Sequence, residues 1–469
     1  MTAFLSAYPE YAATAPLDAL RRSEYGYLDE QGHLYLDYTG AGLAARAQYR
    51  AHVERLSGTL FGNPHSVNPT SEASTELVER TRARVLAHFT ASPDEYTAVF
   101  TANATGAARL VGEAYPFTRR GRLVLTFDNH NSVNGLREFA RRGRARTVYV
   151  PTQAPELRVD TAVLTSVLER GRRGLFAYPA QSNFSGVRHP LDWIGLAQGL
   201  GYDVLLDAAA YLPTRMLDLS EVHPEFVIVS WYKLFGYPTG VGCLIARRDA
   251  LARLVRPWFS GGTIQAVSVG MPWHAMAPDE SAFEDGTLNF QAVPDVHVGL
   301  DWLADIGMPM IGTRVRCLTD WLLSRLTSLR HSDGSPLARV YGPTDTEARG
   351  GTVAFNFLDA NGRVVDERLV AAETSAAGIS LRTGCFCNPG VGEDAFGLDM
   401  RALKPLRAAK TGSLDEYLRL IGLPTAGAIR VSLGLVSTVD DVERFLDFAE
   451  HTYRDRVPDT VGLPPRERC

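Results

Sequence analysis

Between about Thr97 and Arg247 the chain alternates short, unbroken apolar runs with longer amphipathic stretches. The runs Ala98–Thr101, Leu123–Thr126, Thr147–Val150, Leu175–Tyr178, Val204–Leu206, Phe226–Val229 and Val241–Ile245 predict strands, and helical stretches such as Asp160–Arg170 and Pro190–Leu200 fit between them. The runs lack the every-second-residue alternation of a half-buried strand. They therefore predict strands covered on both faces, and so an α/β fold with a mostly parallel sheet between helix layers. Past about Asn289 the texture changes. Two helical stretches, Val293–Ile306 and Ile311–Leu329, lead to strands near Val340, at Gly351–Phe357, at Ile379–Arg382 and at Ala428–Leu433. A turn at Asp359–Gly362 precedes a helix from Val365, and a closing helix spans Val439–Tyr453 with Thr438 as its N-cap. The pattern predicts a large domain over residues 50–300. The second, smaller α/β domain comprises residues 301–469 with an N-terminal segment, 1–49, that joins it or covers the site.

At 469 residues and 45% hydrophobic the chain can bury a large core. A formal net charge of −5, without basic runs interleaved with aromatics, argues against a nucleic-acid partner. No basic segment followed by an apolar core opens the chain, and no run approaches the ~20 apolar residues of a membrane span. Five sparse cysteines without framework spacing fit a reducing cytoplasm. Cys385-Phe-Cys387 lacks C-x-x-C spacing, so no metal site is expected.

Lysine usage changes the picture most. Of 48 basic residues only Lys233, Lys404 and Lys410 are lysines, so arginine serves nearly everywhere that charge alone is needed. A lysine can lose its proton in a desolvated site and attack an aldehyde, whereas arginine cannot. Lys404 and Lys410 lie in the polar stretch Arg401–Ser413 and read as surface. Lys233 follows the apolar run ending at Ser230, which leaves two readings: a surface lysine after a buried strand, or an amine aimed into a site.

Ligands in parallel sheets sit beyond the carboxyl ends of the strands, and the residues there form a set. Thr101-Ala-Asn-Ala-Thr105-Gly106 opens a helix with small residues and hydroxyls, an anion site or an ordinary cap. His130 follows the next strand and either stacks on a flat ligand or caps a helix. Asp207 ends an apolar strand and must find a partner, for which a protonated pyridine nitrogen is suited. Ser230 offers a hydroxyl three residues before Lys233. Phosphate loop, ring, acid and amine follow in the order that a pyridoxal 5'-phosphate enzyme requires.

The chain resembles the class V aminotransferase family, its cysteine desulfurase branch, and within that the aminotransferase-like domain of molybdenum cofactor sulfurases. Segments carrying the resemblance include Tyr35-Leu-Asp-Tyr-Thr-Gly40, Phe61-Gly-Asn-Pro-His-Ser66, Asp128-Asn-His130-Asn-Ser-Val133, Ala180-Gln-Ser-Asn183-Phe-Ser-Gly186, Ser230-Trp-Tyr-Lys233, Phe283-Glu-Asp-Gly-Thr287, Leu381-Arg-Thr-Gly-Cys385-Phe-Cys387-Asn-Pro-Gly390 and Ala428-Ile-Arg430. The resemblance implies a fold type I pyridoxal-phosphate transferase. It implies that Lys233 bonds the cofactor, His130 stacks on its ring, Asp207 pairs with the ring nitrogen and Asn183 lies near the ring oxygen. Ala104, Thr105 and Ser230 would hold the phosphate, with Thr287 supplied by the neighbouring subunit of a homodimer. Arg430, with Arg382 and Asn183, would bind the substrate's α-carboxylate, and Cys387 would take the sulfur.

Two positions depart from typical desulfurases but resemble the sulfurases: Ala210 stands where a glutamine is usual, and Tyr232 where a histidine is usual. The chain ends at Cys469 without the C-terminal domain of those sulfurases, which leaves the sulfur acceptor, a protein or a small molecule, open. The implied activity is desulfuration of L-cysteine or a derivative, with a persulfide on Cys387 and alanine as product. The alternatives are a pyridoxal-phosphate C–S lyase or aminotransferase of a specialised pathway, and a catalytically dead dimer acting as a binding module. Retention of Lys233 argues against the last.

Overall fold

The computed structural model describes all residues except 1, 65, 172, 408–412, 424, 426, 461 and 467–469. His65, Lys410 and Cys469 therefore lie outside the described residues. Seven strands form the main sheet: β1 (Tyr96–Thr101), β2 (Arg122–Thr126), β3 (Arg146–Val150), β4 (Gly174–Pro179), β5 (Tyr202–Asp207), β6 (Phe226–Ser230) and β7 (Gly242–Arg247). Their spatial order is β1-β7-β6-β5-β4-β2-β3. Only β7 runs against its neighbours; the β2–β3, β2–β4, β4–β5 and β5–β6 pairs are parallel. The apolar runs behave as expected of a sheet covered on both faces: β4, for example, is buried along its whole length. The carboxyl ends of β1, β2, β4, β5 and β6, together with the start of β7, share one edge of the sheet.

A second, antiparallel sheet holds β8 (Ala338–Tyr341), β9 (Thr352–Phe357), β10 (Arg382–Gly384) and β11 (Ala428–Ser432) in the order β8-β9-β11-β10. The single strand expected at Ile379–Arg382 is two. Ile379–Ser380 pairs in parallel with Leu34–Tyr35, while Arg382–Gly384 pairs with β11. The chain changes partners at Leu381, so one short extended segment serves two sheets. The long helices Val293–Ile306 and Val439–Tyr453 stand as read, and Thr438 caps the latter by accepting the Asp441 N–H. The other helix expected here starts earlier, at Met308, and the helix after the Asp359–Gly362 turn starts later, at Glu367 with Asp366 as its cap. A two-stranded hairpin, Ile264–Ser268 with Trp273–Met276, was not anticipated. The N-terminal segment packs beside the main sheet's edge: Gly42 N–H donates to the Tyr232 carbonyl (2.9 Å). No helix among the described residues is long and apolar enough to cross a membrane.

Candidate active site

At the carboxyl edge of the main sheet lies an open cleft. Seven of the expected residues line it together: Ala104, Thr105, His130, Asn183, Asp207, Ser230 and Lys233. Their convergence follows from topology, because each sits at or just past the end of a strand of one sheet. Lys404 is exposed, as expected of a surface lysine.

The helix α1 (Ala104–Ala114) begins at the cleft with Asn103 as N-cap, its side chain accepting the Gly106 N–H (2.8 Å). Positive helix-end potential therefore faces the cleft beside Thr105. The Thr105 and Ser132 hydroxyls are hydrogen-bonded at 2.7 Å. Ser132 also lines the cleft and was not singled out from sequence, although it stands two residues after His130. Gly242 at the start of β7 lets the loop lie close: a Cβ there would stand 2.3 Å from the Asn103 carbonyl carbon.

His130 caps a short helix, α2 (Asn131–Asn134), and its Nδ1 accepts the Ser132 N–H (3.1 Å). Capping thus does not compete with facing the cleft; it fixes the ring, with Nδ1 unprotonated. Burial first, then the nearby Lys233 and Arg430 charges, push its pKa below the ordinary imidazole value, with Asp207 acting the other way. Burial likewise lowers the pKa of Lys233, opposed by Asp207 and reinforced by Arg430 and Arg382. That shift favours the neutral amine a nucleophile or base needs. Asp207, at the end of β5, accepts the Ala209 N–H (3.0 Å).

Arg430, Arg382 and Cys387 adjoin the cleft rather than line it. Arg430 on β11 is buried; it donates to the Asn183 carbonyl (3.1 Å) and to the Asp37 carboxylate (2.7 Å). Its guanidinium lies 4.8 Å from the Phe386 ring centroid, a cation–π contact, and its Nε is buried without a hydrogen-bond partner. Arg382 reaches the other Asp37 oxygen at 2.8 and 3.1 Å. Asp37 thus bridges two arginines from 345 and 393 residues away in sequence. Its motif is legible in the sequence but its role is not, because only the fold brings it there.

Cys387 is an exposed free thiol between two buried residues, Phe386 and Asn388, whereas Cys385 is buried. Phe386 and Cys387 both hold left-handed backbone angles, φ 55° and 54°. Such angles cost a non-glycine residue on the order of 1 kcal/mol or more and persist only where the surroundings fix them. Gly390 supports the loop by close approach: a Cβ there would meet the Phe127 carbonyl oxygen at 2.1 Å. Both polar ends of the Asn183 side chain are engaged by this loop, with Nδ2 donating to the Phe386 carbonyl (2.8 Å) and Oδ1 accepting from Asn388 (2.9 Å). Thr287 is apart from the cleft and lines a separate cavity with Thr101, Ala102 and Gly106.

The fold and this constellation define a class, and comparison places the chain within it. The model of the aminotransferase class V family matches residues 34–445, so the chain belongs to that family. Molybdenum cofactor sulfurase of Bos taurus is 36% identical over 96% of this chain and 54% of its own length. The protein of the same name from Arabidopsis thaliana is 34% identical over 96% of this chain and 60% of its own length. The chain therefore spans little more than half the length of these relatives. Among solved structures, an apo cysteine desulfurase from Thermococcus onnurineus NA1 superposes with TM-score 0.76 at 22% identity, covering 93% of this chain and 97% of that one. The Escherichia coli cysteine desulfurase CsdA gives 0.72 at 20% identity, over 93% of this chain and 98% of its own. These likenesses show a shared fold.

Proposed function

We propose that the chain is a pyridoxal-phosphate-dependent cysteine desulfurase, which moves sulfur from L-cysteine or a close derivative onto Cys387 and releases alanine. The observation that carries this is the conjunction of a desolvated lysine in a cleft at the sheet's carboxyl edge with an exposed free thiol on a loop bonded to that cleft. The cleft's donor set fits the cofactor. It offers an amine for the aldehyde at Lys233, an imidazole face at His130, a carboxylate for the ring nitrogen at Asp207, and an amide at Asn183 near the ring oxygen. Hydroxyls at Thr105, Ser132 and Ser230 beside a helix N-terminus, with the Ala104 backbone, suit the phosphate. Gly242 keeps that cradle open, since a side chain there would displace it.

When bound, the cofactor supplies an electron sink that stabilises negative charge at the substrate's α-carbon. Asp207 would pair with the ring nitrogen and hold its proton there. Arg430 receives the substrate carboxylate, and its unpartnered buried Nε–H is a donor available for that purpose. Arg382 adds a second positive charge next to it. Lys233 Nζ, its pKa lowered by burial, takes the α-proton. Cys387 Sγ, as thiolate, attacks the substrate sulfur: the new S–S bond forms, the substrate's C–S bond breaks, and protons returned to the carbon skeleton complete alanine. One cysteine and one thiol thus become one alanine and one persulfide.

A homodimer is part of this proposal. Thr287 lies outside its own chain's cleft, and the hairpin near it exposes Val269 (99%), Met271 (66%) and Trp273 (54%), a surface suited to a second copy. Residence in the cytoplasm, which would keep the Cys387 thiol reduced, is part of the same proposal. The sulfur acceptor, a protein or a small molecule, must reach that thiol. The test is incubation of the purified, cofactor-loaded protein with L-cysteine under reductant, measuring alanine, pyruvate and sulfide together. Alanine in step with sulfide supports desulfuration; pyruvate with ammonia replaces it with a C–S lyase.

A further inference from the structure

The loop around the free thiol is fastened from several sides. The Phe386 carbonyl accepts from Asn183 Nδ2 (2.8 Å), and the Cys387 carbonyl accepts the backbone N–H of Asn131 (2.7 Å). Asn388 Nδ2 donates twice, to the main-chain carbonyl of Asp128 (2.7 Å) and to Asn183 Oδ1 (2.9 Å). Asn388 and Asp128 are both fully buried, so water does not compete for these bonds. Every anchor belongs to the segments that carry the ring-facing residues: Asp128 and Asn131 bracket His130, and Asn183 lines the cleft itself. Asp128 is in turn fixed, its carboxylate paired with His189 Nε2 at 2.7 Å in the interior.

Asn388 is kept for its donors. Its own Oδ1 is buried without a partner, a cost that an apolar residue of similar size would avoid. What the amide provides is one nitrogen serving two carbonyl groups, the Asp128 main chain beside His130 and the Asn183 side chain. The left-handed angles of Phe386 and Cys387 need such restraint, because release would let both residues return to commoner backbone conformations and swing the thiol away.

We propose that Asn388 is a positioning residue for sulfur transfer, its paired hydrogen bonds holding the Cys387 thiol in fixed register with the ring-binding elements. This rests on the reading of Cys387 as the thiol that takes the sulfur. The loop then delivers no sulfur by moving; the acceptor comes to the exposed Sγ.

The test uses the full chain as Asn388→Ala, with Asn388→Ser keeping one donor. Two readouts separate positioning from folding. Exchange of the substrate's α-proton with heavy water needs Lys233 and the cofactor but not Cys387. Alkylation of Cys387 by iodoacetamide in cofactor-free protein reports the thiol's restraint without catalysis. Misplacing a reacting group by about 1 Å costs roughly a hundredfold, so Asn388→Ala should slow persulfide formation on Cys387 about that much, leave α-proton exchange within about twofold, and speed alkylation; Asn388→Ser should fall between. Persulfide formation that is unchanged, or that falls only in parallel with α-proton exchange, overturns the proposal. If Asn388→Ala does not fold, Asn388→Ser carries the same comparison. Cys387→Ser run alongside separates the failures. A variant that still desulfurates removes the reading beneath the proposal, whereas a dead Cys387→Ser beside an unimpaired Asn388→Ala removes only the proposal.

Discussion

The Lys233 side of the site and the Arg430–Cys387 side are assembled differently. His130, Asp207, Ser230 and Lys233 each terminate or follow a strand of one sheet, and backbone groups fix several of them: Ser132 N–H for His130, Ala209 N–H for Asp207. Their placement is local geometry repeated along a sheet edge. The other side has no such edge. Arg430 sits on a small antiparallel sheet, its counter-charge Asp37 comes from the N-terminal segment, and the thiol's loop is bonded to residues following β2 and β4. One side is built by strand order, the other by long-range polar contacts. Substitutions on the first side should therefore damage chemistry and spare stability, while those on the second should damage both.

The largest effect is expected at Lys233. Lys233→Met removes the amine without burying a permanent charge, so turnover should fall at least about a thousandfold while the thermal transition barely moves. A yellow colour that borohydride removes should disappear with it. A variant that still holds a reducible link to the cofactor would remove Lys233 from its role. Asp207→Asn comes next: a neutral amide cannot hold the ring nitrogen protonated, and turnover should drop by about a hundredfold or more with cofactor binding and fold retained. Unchanged turnover would make Asp207 an ordinary strand-end carboxylate.

Asp37→Asn tests the opposite side. It leaves the buried Arg430 guanidinium without its counter-charge, and removing one partner of a buried pair costs about 3 kcal/mol, so the melting temperature should fall clearly. A variant as stable as the parent would show that Arg430 is satisfied without Asp37, and the contrast between the two sides would dissolve.

The smallest effect concerns pH. The folded-state pKa of His130 lies below the ordinary value of 6.5, so as pH falls through that value the unfolded chain binds a proton that the folded protein does not. Stability therefore declines with acidification in that window. In cofactor-free protein His130→Phe should lose less stability than the parent between about pH 7 and about pH 5. Identical pH slopes would place the imidazole in an unstrained, solvated setting.

The same division explains what sequence made visible. The seven strands of the main sheet lie within two residues of the apolar runs, and the cleft residues followed because ligands sit beyond strand ends. The break at Leu381 is not legible in the sequence because a short extended segment does not reveal that its halves pair with different strands. The hairpin at Ile264–Met276 escaped because most of its residues are exposed, so burial imposes no pattern on them. Asp37, Ser132 and Asn388 stood inside quoted motifs, yet their roles depend on partners that only the fold brings into reach.

The central claim is that sulfur leaves the substrate by way of Cys387. Mass spectrometry of the peptide containing Cys387, after brief treatment of the loaded protein with L-cysteine, tests it most directly. The account predicts one added sulfur on that peptide, formed in step with alanine and absent in Cys387→Ser, which still exchanges the substrate's α-proton. A Cys387→Ser protein with full activity on its best amino-acid substrate, and no sulfur adduct in the parent, would contradict it.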